Sequence, residues 1–215
     1  GGWGGKLGGS GVRTRPVYDR GRAKVGVRGE WEGDLGAKIS GCLEGAEQMR
    51  HAVAKHGWEQ YIAACDSIID CGERSMRAAI AAIPDGSYGA EYTIPDDGLS
   101  AGGRIDLRLC MRITGDSMTV DFSGSSAQVE GALNTPLTMT RAAVYGALKG
   151  VIGPNLPMSP GYFRPVEVTA PLGSVLNPRF PAAVAGRAPV FFRIFDMVNA
   201  ALAQALPGRV SVVGE

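Results

Sequence analysis

Apolar positions recur at three- and four-residue steps from Leu35 to Ile83, then at every second residue from Tyr88 to Phe122. Helices therefore give way to strands along the chain. The first helical stretch carries Leu43, Ala46, Met49 and Val53, and it breaks at Gly57 after His56. From about Trp58 a stripe of Ile62, Cys65, Ile69, Met76, Ile80 and Ile83 predicts a longer helix, with Glu73 and Arg77 spaced to pair across one turn. Pro84-Asp85-Gly86 stops it. The two helices predict a helical hairpin whose work is packing.

The period of two begins at Tyr88–Ile94, a candidate strand closed by the turn Pro95-Asp96-Asp97-Gly98. Arg104–Thr114 alternates with Ile105, Leu107, Leu109, Met111 and Ile113 on one face. Gly115-Asp116 supplies a tight connection whose first residue can take positive φ, and Ser117–Phe122 returns antiparallel. Leu137–Lys149 reads as a helix, Val151–Pro160 as a proline-rich loop and Arg164–Thr169 as a short strand. Asn177-Pro178 and Phe180-Pro181 hold extended backbone, because a residue before proline is biased out of the α region. Pro189 suits the first turn of a last helix ending near Leu206, before Pro207-Gly208. Helices and hairpins in separate blocks give an α+β class, a helical hairpin packed with antiparallel hairpins and long Gly/Pro-rich loops.

Composition changes the picture at the start of the chain. Residues 1–33 are rich in glycine and arginine and read as a loop-like arm or junction, with at most a short strand at Lys24–Val27; residues 34–215 read as the domain proper. Arg13, Arg15, Arg20, Arg22 and Arg28 form a local positive stretch, suited to a solvated arm, a subunit contact or an anion. The first residues lack an initiator Met and the charged and apolar regions of a signal peptide, so a processed or partial polypeptide is expected. Over 215 residues the formal charge is +1, too balanced for a nucleic-acid footprint, and no apolar run reaches the 18 or so residues of a spanning helix. Beyond that, charge says little about partners. Cys42, Cys65, Cys71 and Cys110 lack the paired spacing of a zinc or iron-sulfur site, and two or more of them are expected as buried small hydrophobes.

Candidate chemistry concentrates after the second hairpin strand. Asp121 is followed by Ser123, Ser125, Ser126, Gln128 and Asn134, a dense supply of short hydrogen-bonding groups in a flexible turn. None of the serines sits in a Gly-x-Ser-x-Gly elbow, and Gly124–Gly131 lacks the lysine of a P-loop. Asp96, Asp97 and Asp116 share loop placement with Asp121; such carboxylates serve a hard cation such as Mg²⁺ or cap their own turns. His51 and His56 lie about 140° apart around one helix and do not share a metal easily. Thr135 is placed to cap the helix after Pro136 and to leave free N–H groups near the Asp121 turn.

Several of these segments carry a resemblance. Glu32–Lys38, Pro84–Tyr88, Asp96-Asp97-Gly98, Val120–Ser126 with Gln128 and Gly131, Asn134-Thr135-Pro136, and Pro171–Ser174 through Asn177-Pro178 together resemble the middle portion of the hydantoinase B family, over about Gly33 to Pro207. That family includes the B-type halves of ATP-dependent N-methylhydantoinases, the matching half of 5-oxoprolinases and alpha-type subunits of acetone and acetophenone carboxylases. The glycine-rich start up to Gly29 departs from the pattern, as does Lys38, where members commonly carry Gln.

The resemblance implies a part of a larger cytoplasmic hetero-oligomer, inactive alone. An A-type partner subunit would handle ATP with Mg²⁺, and Zn²⁺ or Mn²⁺ would belong to the complete subunit, with ligands outside this chain. The implied activity is hydrolysis of a cyclic amide of hydantoin or 5-oxoproline type, with ketone carboxylation as the alternative and a scaffold for the A-type partner as a third reading. Asp121, Ser123, Gln128 and Asn134 are the expected catalytic-site residues, for orientation and hydrogen bonding.

Overall fold

A computed structural model describes residues 8–9, 12–13, 15–23, 26, 28–97, 99, 103–156 and 158–209. The chain forms two compact units, Gly1–Cys65 and Asp66–Glu215. The first contains a two-residue pair of strands, β1 (Gly8–Gly9) and β2 (Val12–Arg13), helix α1 (Arg15–Arg22), helix α2 (Arg28–His56) and the first turns of α3 (Trp58–Ala81). The strand expected at Lys24–Val27 lies largely outside the described residues.

The start is more helical than its composition suggests. Pro16 occupies the first turn of α1, where a missing N–H costs nothing. Tyr18 packs on Trp31 of α2 with ring centroids 5.3 Å apart, and Arg22 pairs with Glu32 at 2.6 Å. Gly21 makes this approach possible, because a Cβ there would stand 2.8 Å from the Trp31 ring. These contacts link residues ten or more apart, so local composition did not reveal them. They also carry α2 back to Arg28, seven residues before the expected start.

Gly57, at φ +83°, is the single residue between α2 and α3, and its N–H closes onto the Val53 carbonyl at 2.8 Å. Glycine takes this left-handed conformation without the steric penalty a side chain would bring. No residue of α2 is buried: Leu43 and Met49 are exposed, and Val53 is half-buried. The packing expected of the helical stretch is found only farther along α3, where Gly72, Met76 and Ile80 enter the core of the second unit.

That second unit is built on a mixed four-stranded sheet in the order β3 (Gly86–Ile94), β4 (Ile105–Thr114), β5 (Ser117–Asp121), β6 (Val166–Thr169). The first three strands are antiparallel, and β6 joins β5 in parallel. The alternation in β4 has its expected consequence, with Ile105, Leu107, Leu109, Met111 and Ile113 all buried. Gly115 turns the hairpin at φ +59°, and Asp85 accepts its N–H at 2.9 Å. Helices α4 (Leu137–Val151) and α6 (Ala188–Ala205) pack on each other, and α6 also contacts β3 and β4. A short helix α5 (Pro160–Phe163) precedes β6. An α+β fold with one sheet face covered is the result.

A close approach fixes α5 against α3. A Cβ on Gly161 would stand 1.8 Å from the Ile69 carbonyl oxygen, so only glycine fits there. Tyr162 beside it is fully buried, and burial without a partner for its hydroxyl pushes the phenol up to about 12. Glu73 binds Arg77 at 2.8 Å, as expected, and also Arg164 at 3.0 Å. Hydrogen bonds from Arg164 and then Arg77 hold the Glu73 carboxyl below its usual range.

The cysteine expectation fails. Cys42 and Cys71 are exposed, while Cys65 and Cys110 are half-buried. Cys42 lies on the uncovered α2, and Cys110 occupies the face of β4 opposite the buried residues.

Candidate functional site

Strand alternation decides where the polar residues of β5 go. Met118, Val120 and Phe122 are buried, so Thr119 and Asp121 project from the other face. Register places Cys110, Asp121 and Thr169 side by side across β4, β5 and β6. Fully buried Phe122 anchors the chain where it leaves the sheet, and its N–H continues the ladder to the Thr169 carbonyl at 3.0 Å.

Asp121 is held by three donors that converge on Oδ1. They are the Ser123 hydroxyl at 2.8 Å, the Thr169 hydroxyl at 2.9 Å and the Ser123 N–H at 3.1 Å. Partial burial raises the carboxyl's pKa, but these hydrogen bonds and the Arg112 charge outweigh it, leaving a net shift below the usual value. At neutral pH Asp121 is therefore an anionic acceptor rather than a proton donor. The contribution of Thr169 escaped sequence reasoning because a parallel β5–β6 pairing joins segments 48 residues apart.

The serines after it complete the sheet. β5 covers β4 only over Cys110–Thr114, which leaves the edge groups of Asp106 and Arg108 without a strand partner on that side. Ser126 supplies both missing bonds to Asp106, its N–H to the carbonyl at 2.8 Å and its Oγ accepting the N–H at 2.9 Å. Ser125 Oγ does the same for Arg108, accepting the N–H at 3.0 Å and donating to the carbonyl at 3.2 Å. The turn that permits this uses Gly124 at φ +89°.

Beyond Ser126 the chain pairs with a second loop, around Gly173–Asn177. Val175 N–H donates to Ser126 at 3.0 Å, Gln128 N–H to Gly173 at 2.8 Å and Thr135 N–H to Val175 at 2.7 Å. Gln128 Oε1 accepts the Arg179 N–H at 2.7 Å. Asn134 is fully buried, accepting the Val129 N–H at 2.9 Å through Oδ1. Its Nδ2 lies 2.8 Å from the Val129 carbonyl and 3.0 Å from those of Gly131 and Ala183.

The four candidate residues thus divide by position. Asp121 and Ser123 touch each other at the end of β5, Gln128 ties its loop to Arg179, and Asn134 braces its own loop from inside and joins it to Ala183. No hydrogen bond joins Gln128 or Asn134 to Asp121 among the described residues.

Thr135 does not cap α4. Its side chain is buried, its hydroxyl reaches back to the Leu133 carbonyl at 3.4 Å, and Pro136 takes the cap position without a side-chain bond. Pairing of Thr135 N–H with Val175 draws the residue toward the second loop instead.

The other loop carboxylates are engaged in local structure. Asp116 binds Arg77 at 3.2 Å, and Asp97, also buried, accepts the Leu99 N–H at 3.0 Å. His51 lies 3.3 Å from Glu47 on exposed α2. Among the described residues no group of three or more His, Cys, Asp or Glu side chains is placed to hold a metal ion.

This combination of sheet, helices and paired loops recurs in known proteins. Residues 5–214 match the family model described as Hydantoinase B/oxoprolinase, and the chain belongs to that family. The match begins at residue 5, so the glycine-rich start from that residue on lies within the matched span, contrary to the departure expected from its sequence. The B-type subunit of a putative D-/L-hydantoinase from Pseudomonas sp. (strain NS671) is 32% identical over 213 residues, covering 94% of this chain and 36% of the relative. The crystal structure of ATP-dependent caprolactamase from Pseudomonas jessenii superposes with a TM-score of 0.81 at 27% identity, covering 94% of this chain and 35% of that one. Acetone carboxylase, in its nucleotide-free structure, gives a TM-score of 0.83 at 19% identity over 95% of this chain and 29% of that one, a likeness of fold. The chain therefore spans about a third of the length of these proteins.

Proposed function

We propose that this chain is part of the B-type subunit of an ATP-dependent, hetero-oligomeric cyclic-amide hydrolase acting on a ring of hydantoin, 5-oxoproline or lactam type. The observation that carries the reading is its similarity, above 25% identity and over nearly its whole length, to a hydantoinase subunit and to a caprolactamase. Both names denote cyclic amides. Carboxylation of a ketone is the second reading, supported by the shared fold with acetone carboxylase.

In this proposal an A-type partner uses ATP with Mg²⁺ to activate the substrate oxygen, and a Zn²⁺ or Mn²⁺ site belongs to residues outside this chain. Asp121, kept ionised, accepts a hydrogen bond from a ring N–H or an attacking water, and Ser123 fixes the carboxylate's orientation. Gln128 and Asn134 act as positioning residues that hold the loop carrying them.

The test is a purified complex of the complete subunit with its A-type partner. It is assayed with ATP and hydantoin, 5-oxoproline or caprolactam, and separately with ATP, bicarbonate and a ketone. Turnover of a cyclic amide is expected; activity in the second assay alone overturns the proposal. Replacing Asp121 with Asn in the intact complex separates catalysis from scaffolding. A loss of 100-fold or more is expected, and near-normal turnover would leave a structural role only.

A further inference from the structure

The strongest feature outside the candidate site is the uncovered side of α2. Leu35, Cys42 and Met49 are spaced by seven residues, and Ile39, Ala46 and Val53 interleave with them at the same spacing. This is the a/d pattern of a helix that packs on another helix, sustained for somewhat under three heptads. Yet none of the six residues is buried, and Cys42, Ala46 and Met49 are exposed. Polar side chains away from the seam engage one another or its flank, Glu44 with Gln48 at 2.7 Å and Glu47 with Arg50 at 2.8 Å. Near the C-terminal end of α2 the seam widens into a groove of about 470 Å³ lined by Ala46, Met49, Arg50, Val53, Ala54 and Trp58.

The flanks of the seam describe its occupant. Positions e and g over this stretch are Gly36, Lys38, Leu43, Gly45, Arg50 and Ala52, with no carboxylate and with two cations, of which Arg50 already pairs with Glu47. Three of the six are Gly or Ala, which lets a second backbone come near, and the Lys38 charge favours a partner with an acidic residue beside its seam. Nearly two thirds of the hydantoinase relative and of the caprolactamase chain lie outside the portion matched here, which is ample length to supply such a helix.

We propose that α2 is the receiving half of an intrasubunit helix pair. Its a/d seam docks one amphipathic helix with Asp or Glu beside its own apolar seam, contributed by the remainder of the B-type polypeptide. This inference rests on the chain being part of such a subunit.

Cys42, a seam residue with an exposed thiol, is a native probe. Its rate of maleimide labelling, read by peptide mass mapping, is compared between the 215-residue chain and the complete gene product without its A-type partner. A Gln48→Cys substitution on the polar face serves as reference. The expected result is labelling of Cys42 slowed tenfold or more in the complete subunit, with the reference site unchanged. Equal rates at Cys42 overturn the proposal, as does protection that appears only when the A-type partner is added. Protection in the 215-residue chain together with a doubled mass in solution also overturns it, in favour of a second copy. The same preparation assayed with its partner distinguishes the two ideas. Protection without cyclic-amide turnover sinks the function reading alone, and turnover without protection sinks the helix pair alone.

Discussion

Replacing Asn134 is the sharpest test of how the loop after Asp121 is held. In Asn134→Ala the Val129 N–H loses its acceptor, and the Val129, Gly131 and Ala183 carbonyls lose a common donor. An orphaned buried donor or acceptor costs about 1–3 kcal/mol, and the three carbonyls share a single lost donor group, so the total is about 3–4 kcal/mol. Against a domain stability of about 5–15 kcal/mol this is a large fraction. Asn134→Asp is harsher at pH 7, because it keeps the acceptor but sets a carboxylate oxygen against three carbonyl oxygens.

That repulsion gives a signed pH dependence. The introduced carboxyl is forced toward its protonated form, so its folded pKa rises above the unfolded value of about 3.9. Stability of the Asp variant is then highest below the unfolded pKa and is lost as pH rises through the folded one. Urea titrations followed by circular dichroism at pH 7 and pH 4 would show the difference from wild type narrowing at the lower pH. A loss under 1 kcal/mol for Asn134→Ala, with an unchanged denaturant slope, would refute the bracing role.

Three further outcomes follow from the same contacts. The Asp121 carboxyl is depressed in the folded state, so its contribution is present above the unfolded pKa and is lost as pH falls below about 4. Urea midpoints of wild type and Asp121→Ala should converge in that range, and a constant gap down to pH 2.5 would contradict it. Ser126→Ala leaves the Asp106 N–H without its acceptor, which should speed amide exchange at Asp106 about tenfold and cost about 1 kcal/mol; unchanged exchange would refute the edge-completing role. Gly161→Ala drives a Cβ into the Ile69 carbonyl and should cost at least about 3 kcal/mol, read as a fall in Tm; a Tm within 2 °C of wild type, set against the roughly 2–4 °C per kcal/mol of a domain this size, would contradict the close approach.

How legible these features were depends on the range of the interactions that make them. β4 was readable because its alternation is local, and the glycine at position 115 announced the hairpin by itself. Helix α1 was not, since the Tyr18–Trp31 and Arg22–Glu32 contacts that accompany it join separate segments. The polar residues from Asp121 to Asn134 could be picked out, but their partners could not. Thr169, Gly173, Arg179 and Ala183 lie 40 or more residues downstream of the residues they bind. Local reasoning saw spare hydrogen-bonding groups where the fold has already used most of them. Thr135 shows the same effect, a good capping residue claimed by a distant carbonyl.

The serine pair on the edge of β4 has a consequence for how the loop after Asp121 tolerates sequence change. Because Ser125 and Ser126 take over the donors and acceptors of an internal strand, the backbone after Asp121 inherits that strand's registration. Such a loop behaves as a fixed rim rather than a hinged cover. Sequence change along it is then expressed through the side chains it carries, while the path of the main chain stays put.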